Sequence, residues 1–450
     1  MVSGRILRIE LRRSIAVWAG TVFLLVALAF LFGLTGPWTA YGERWTAQWS
    51  AAALWERHLL LFLLPLVVGA GALQGLRDRR AGTGELLAAT PRPAWQRSAA
   101  TAGALAIALV AAYLLLYGVG AVQVAAGGGV FHLGWAPVVA VGALSLVAAG
   151  WLGLGAARTL PSVLTPPALA IATLLAMFPV VGLWQEEVVP KVAYLAPALD
   201  NARSLVHDLS GWVSLGQAVW LLGVAATGFG LLAATRPWAR PAALLPAVLG
   251  AAVALPLLPS GSEPVYVVNA AAEPVCSGRV CVTRAHEDLL PVVAGPGEEA
   301  LRLLARLPGP PRQVRESAER DAVHHPPARD AGIVYVDFDV RDARSTGEKL
   351  TRHLLAGAGT PSCHSLRGDD FDGRLREEAA RRMAAGWLMG DVAAPTADPV
   401  FQELNALVEQ AWPELRAVPE REQGARVAAL REAALSCDGD LLAILTDGRR

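Results

Sequence analysis

The feature that most constrains this chain is a succession of apolar runs in its first 258 residues. They fall at about 14–34, 58–76, 98–121, 135–157, 163–183, 215–235 and 241–258. An apolar stretch of about 20 residues crosses a hydrocarbon core of about 30 Å as a helix. The pattern therefore predicts a polytopic helical membrane domain of six to seven spans. The last run is the weakest, being short and carrying Pro246 and Pro256. Pro65, Pro166, Pro167 and Pro179 are tolerable, because neighbouring helices satisfy the carbonyls that a proline frees. The first run follows Arg5, Arg8, Arg12 and Arg13 and is too long for the core of a cleavable signal peptide, so it reads as a first span. Composition agrees, at 54% hydrophobic and 17% charged residues, but it is unevenly spread. Residues 1–258 read as the membrane domain, and residues 259–450 as a soluble α+β domain, the whole being mostly α. A net charge of zero says nothing about partners, and nothing in the sequence calls for nucleic acid.

Sidedness follows from the short loops. With the N-terminus inside, the inner segments hold Arg5, Arg8, Arg12, Arg13, Arg77, Arg79, Arg80, Arg92, Arg97, Arg158, Arg236 and Arg240. The outer loops hold Arg44, Arg57, Lys191 and Arg203. Cytoplasmic loops are the arginine-rich ones, so the N-terminus is expected on the cytoplasmic side of a plasma membrane. Seven spans put the C-terminal domain outside; six would put it inside. Cysteine arbitrates. Cys276, Cys281, Cys363 and Cys437 all lie in the C-terminal domain, and an even set there suggests two disulfides in an oxidising compartment. The spacing Cys276-Ser-Gly-Arg-Val-Cys281 suits a hairpin clasp, which leaves Cys363 with Cys437. Free thiols, or a metal site in a cytosolic tail, are the alternative. The outer loop 35–57 carries Trp38, Trp45, Trp49 and Trp55. Three of these share a broad helical face, expected either to lie on the outer leaflet or to form an ordinary aromatic belt. The outer segment 184–214 is long enough for short helices at the bilayer edge.

The runs contain no central Asp, Glu, Lys or Arg, and only Gln74, Gln123 and Gln217 near their ends. Ion-coupled carriers need an ionisable group within the membrane. Channels show a polar ring or filter sequence. Neither is apparent, so any transport would draw its energy from outside the bilayer.

The polar island Arg77-Asp78-Arg79-Arg80-Ala81-Gly82-Thr83-Gly84-Glu85-Leu86-Leu87 stands between the second and third runs, with Pro91 and Arg92 after it. A helix-sized, charged cytosolic segment of this kind can seat in a groove of a partner. Read with the basic helix that leads into the first run and the long outer segment before the sixth, it resembles the permease subunit of a type-2 ABC exporter from high-GC Gram-positive bacteria. The resemblance covers about residues 1–240. It implies that Arg77, Arg79, Arg80, Thr83, Glu85 and Arg92 form the segment that couples to a separate ATPase. No G-x-x-x-x-G-K-[ST] phosphate loop occurs here, so ATP and Mg belong to that partner subunit, and this chain needs no cofactor of its own. One set of spans is small for an export path, so a homo- or heterodimer of permeases, embedded in lipid, is expected. The plain alternative is a solvated loop whose arginines set topology.

The C-terminal domain reads as short strands at 265–268 and 280–282, a helix at about 297–307 and a further helical stretch before Pro326-Pro327. A strand follows at 332–340, then helices at about 343–357, 372–389, 398–410 and 420–436. His286-Glu287 lacks the second histidine of H-E-x-x-H. His324-His325 beside Asp337, Asp339, Asp369 or Asp370 is half a metal site at most, and Asp337 and Asp339 with Tyr335 share one strand face. No catalytic or metal site is assigned, and the chain is not expected to be an enzyme. The leading expectation is an ABC exporter permease for an amphipathic substrate. The alternatives are a membrane-anchored sensor or binding protein with an external ligand domain, or a membrane-anchored hydrolase.

Overall fold

The computed structural model describes residues 4–34, 36, 45–77, 93–183, 189–198, 205–236, 238–259, 265–318, 328–336, 338, 347–363, 371–392 and 401–447. It divides into two compact units, Met1–Asn269 and Ala270–Arg450. The division falls about ten residues beyond the expected boundary at 258, because strand Tyr266–Val268 pairs with His207–Leu209 of the first unit.

The first unit is a helical bundle. A short amphipathic helix α1 (Gly4–Arg13) precedes α2 (Ala16–Gly33), α3 (Trp49–Gly75), α4 (Ala94–Ala126), α5 (Trp135–Thr159), α6 (Thr165–Leu183), α7 (Gly211–Ala233) and α8 (Leu245–Leu257). Among the described residues, six helices are long and apolar enough to cross a membrane: those of α2, α3, α4, α5, α7 and α8 with its preceding turn. Thr165–Val180, within α6, is a shorter apolar helix. Large apolar side chains stand exposed on the outside, among them Leu25, Leu175 and Val248. Such an apolar exterior is what lipid tails favour and water does not.

The centre of the bundle is α3, flanked by α5, α6, α2 and α4. Its contact with α5 is backbone against backbone. A Cβ on Gly71 would fall 2.2 Å from the Gly150 carbonyl oxygen, and one on Gly153 would fall 2.2 Å from that of Val68. Lipid gives helices no hydrophobic reason to associate, so close approach through small residues supplies the attraction instead.

The two ends of the bundle are tied differently. At one end the Gln74 side-chain oxygen accepts the Ile15 N–H (3.1 Å), and Ser98 Oγ meets the Leu232 carbonyl (3.5 Å). At the other, β1 (His207–Leu209) pairs antiparallel with β2 (Tyr266–Val268), with Asp208 opposite Val267. This ribbon joins the segment before α7 to the segment after α8.

The second unit holds a four-stranded sheet in the order β3 (Pro274–Ser277), β4 (Val280–Thr283), β5 (Gln313–Glu316), β6 (Ile333–Val336). The first pair is antiparallel and the other two are parallel, with α9 (Leu290–Leu304) leading from β4 to β5. Helices α10 (Glu348–Leu354), α11 (Phe371–Met389), α12 (Gln402–Ala417), α13 (Glu420–Ser436) and α14 (Leu441–Asp447) complete it. Val280, Leu304, Val314, Met383, Leu388 and Leu430 sit in its core. Strand β5 corrects the expectation of helix before Pro326. Its sequence is as charged as a surface helix, but Val314 is fully buried between two partner strands.

Candidate functional site

Five of the six residues assigned to the coupling segment, Arg79, Arg80, Thr83, Glu85 and Arg92, lie outside the described residues. Arg77 does not. It follows the end of α3 and pairs with Glu10 of α1 at 3.2 Å. A half-exposed ion pair contributes at most about 1 kcal/mol, so its consequence is positional. Gln74, one turn earlier, holds the Ile15 N–H, one of the amides near the start of α2 that no helical carbonyl can reach. Leu7 of α1 lies against α4, 3.7 Å from where a Gly103 Cβ would stand. Thus α1 is fastened to α3 and α4 where the island begins.

The opposite end overturns an expectation. The sequence reading makes Arg57 an outer-loop charge and puts Trp45, Trp49 and Trp55 on an interfacial or belt helix. Instead α3 begins at Trp49, and Glu56 and Arg57 lie within it, 1% and 0% exposed. The helix runs through both because the residues before them, Ser50-Ala-Ala-Ala-Leu-Trp55, are apolar and helix-forming. Two of these three tryptophans turn inward. Trp45 and Trp55 are buried, and the Trp49 indole donates to the Gly129 carbonyl at 3.2 Å. Trp135 packs against both Trp49 (6.3 Å) and Tyr117 (4.9 Å). Trp38 and Arg44 lie outside the described residues.

Each nitrogen of the Arg57 guanidinium has a partner. Its Nη2 and Nε donate to the Pro197 carbonyl at 2.6 and 3.1 Å, and Nη1 donates to Gln217 Oε1 at 3.1 Å. Gln217 Nε2 in turn donates to the carbonyls of Tyr194 (2.8 Å) and Ala196 (3.2 Å). The long segment before α7 is thereby latched onto α3 and α7, after one short 3-10 turn at Lys191–Leu195. Glu56 points elsewhere, toward α4. A Cβ on Gly120 would stand 3.1 Å from its Oε1, and neither carboxyl oxygen has a hydrogen-bond donor.

Beside the ribbon, Asp208 lies 3.3 Å from His132 Nδ1 and accepts from Asn269 Nδ2 at 3.0 Å. Its partial burial would raise the carboxyl, but the hydrogen bonds, His132 foremost, outweigh this and hold it below the usual carboxylate range.

In the second unit both cysteine pairs are within bonding distance: Cys276–Cys281 clasps the β3–β4 hairpin in register, and Cys363–Cys437 joins the loop after α10 to the end of α13. Around the second bond, Glu377 accepts the Cys363 N–H (2.6 Å), and Arg329 donates to Pro361, Ser362 and Ala434 carbonyls. His324, His325, His364, Asp337, Asp339, Asp369 and Asp370 lie outside the described residues. Among the described residues, no group of three His, Cys, Asp or Glu side chains is placed to hold a metal ion. His286, set aside in the sequence, has a partner there: its Nδ1 lies 2.6 Å from Glu316, whose other oxygen accepts the Thr283 N–H at 2.6 Å. That pair was invisible because strand pairing, not local spacing, brings Glu316 to it.

Comparison with protein-family models, with curated proteins and with solved structures returns no match.

Proposed function

We propose that this chain is the membrane-spanning subunit of an ATP-driven ABC exporter, moving an amphipathic substrate (a peptide, an antibiotic or a lipid-like compound) with energy from a separate ATPase. The observation that carries the reading is the fastening of α1, through Arg77, and of the start of α2, through Gln74, to the base of α3. A partner that presses on segment 78–92 then pushes on a braced platform of three helices instead of a free loop.

The arrangement calls for seven spans, the six long apolar helices and the shorter α6. A contact between two loop residues requires an even number of crossings between them. His132 and Asp208 meet with α5 and α6 between them, and Asp208 and Val267 pair with α7 and α8 between them. On this reading short α6 and proline-bearing α8 both cross. Moving Arg57 into α3 leaves the outer segments only Arg44, Lys191 and Arg203, against the twelve inner arginines. On this reading the N-terminus is cytoplasmic and residues 270–450 are a soluble extracytoplasmic domain, where two disulfides persist. The transporter is a homo- or heterodimer of such chains.

The test is purification of the chain from its own membranes. An ATPase subunit should co-purify, and Arg79→Ala with Glu85→Ala should leave insertion intact while ATP hydrolysis no longer drives transport. Absence of any associated ATPase, or unchanged transport in the double variant, would overturn the proposal.

A further inference from the structure

Glu56 has no part in the exporter reading, and its surroundings are unusual for a carboxyl group. It is 1% exposed, both oxygens lack donors, and it forms no salt bridge with Arg57 beside it, whose guanidinium is committed to Pro197 and Gln217. The groups facing it can be named helix by helix. From α4 come Tyr113, Tyr117 and the bare backbone of Gly120, with the Trp45 ring at the same glycine (3.7 Å from its Cβ position). Its own helix carries Arg57 and His58 next in sequence, and Asp208 on β1 is bonded to His132 and Asn269. Helices α2 and α6 carry no ionisable side chain, and in α5 the ionisable one, Arg158, is at the far end.

A bare carboxylate sealed among apolar and aromatic groups is strongly disfavoured unless a cation neutralises it. A metal ion needs several oxygen ligands, and no acidic cluster is present among the described residues. A proton neutralises the group alone. We propose that Glu56 is a proton-binding site of the bundle, loaded while the α3–α4 seam is shut and ionised when that seam opens to water. The position fits such a role: Glu56 lies about 10 Å from the Trp49 end of α3 and about 29 Å from Gly75, at 1.5 Å per residue. Opening would then release one proton. Acid holds the seam shut, and each pH unit shifts the opening equilibrium by up to about tenfold. The inference needs no ATPase and stands apart from the exporter reading.

Infrared spectroscopy of the full chain in lipid nanodiscs at neutral pH tests it. Surface carboxyls are ionised there, so a band from a protonated carboxylic acid should remain in the wild type and vanish in Glu56→Gln. Amide exchange over residues 113–124, corrected for its intrinsic pH dependence, should rise with pH in the wild type and lose that dependence in the variant. The proposal is overturned if the wild type shows no protonated-acid band, if the band survives in Glu56→Gln, or if wild-type exchange ignores pH. Should Glu56→Gln fail to fold, the wild-type band and exchange profile decide alone.

Discussion

Asp208 shows how one side chain can fix a chain reversal. One of its carboxyl oxygens stands 1.6 Å from where a Cβ on Gly134 would fall, so a larger residue at 134 would push the carboxyl off the α4–α5 turn. Its folded carboxyl is held below the ordinary range, so its stabilisation is present above about pH 4 and is lost as pH falls through its lowered folded value. Melting of the first unit in detergent should therefore weaken on acidification below about pH 4. Asp208→Asn should lower stability at neutral pH by about 1–2 kcal/mol and flatten that acid limb. An unchanged acid limb in the variant would show that Asp208 contributes nothing. The neighbouring pair Glu56-Arg57 marks the limit of what residues alone disclose. Two adjacent charges read as loop, and nothing local distinguishes the one with three hydrogen bonds from the one with none. Successive helical residues point about 100° apart, so their environments are set by different neighbours.

At the scale of elements, every apolar run was legible, because about 20 apolar residues admit few folds other than a membrane helix. Boundaries were less so. The start of α3 was placed at 58 instead of Trp49, since a hydropathy reading stops at a charge while helical hydrogen bonding does not. Strands fared worse than helices. β6 was recognisable from Ile333–Val336 alone, but β5 depends on partners on both sides for its burial. The pairing of β1 with β2 joins residues about 60 apart, and no local pattern encodes it. Packing between helices was latent in the glycines of α3 and α5, though the sequence did not say which glycines meet. The structure makes that a prediction. Gly153→Val would drive a side chain into the Val68 carbonyl, forcing α3 and α5 apart at a cost of about 3 kcal/mol or more. Gly118→Ala, in open space on α4, should be nearly silent. Equal losses of folded protein in the two variants, measured by thermal unfolding in detergent, would contradict the close crossing.

For the whole molecule, the cysteines connect fold to compartment, and their placement yields an ordered prediction. Both bonds were legible in the sequence: four cysteines in one unit, two of them spaced for a hairpin, leave one sensible pairing. What the sequence could not supply was their inequality. Cys276–Cys281 closes a loop of sequence separation 5, and Cys276 is exposed on β3. Cys363–Cys437 spans 74 residues, and Cys363 is fully buried beneath the Arg329 and Glu377 hydrogen bonds. Chain-entropy estimates assign about 2 kcal/mol to the short loop and about 4 kcal/mol to the long one. A mild reductant acting on the native chain should therefore open Cys276–Cys281 first, because a thiolate can reach it, and should cost the second unit little. Cys363–Cys437 should resist until that unit unfolds, and replacing both its cysteines with serine should cost roughly twice as much stability as replacing the first pair. Alkylation of freed thiols read by mass spectrometry follows the order, and urea unfolding of each double-serine variant follows the energies. Reduction of Cys363–Cys437 first, in protein that is still folded, would mean that the Arg329 and Glu377 hydrogen bonds do not shield it as described. The same labelling, done on intact cells with an impermeant reagent after mild reduction, bears on sidedness: Cys276 and Cys281 should be modified if residues 270–450 face outward, and protected if they face the cytoplasm.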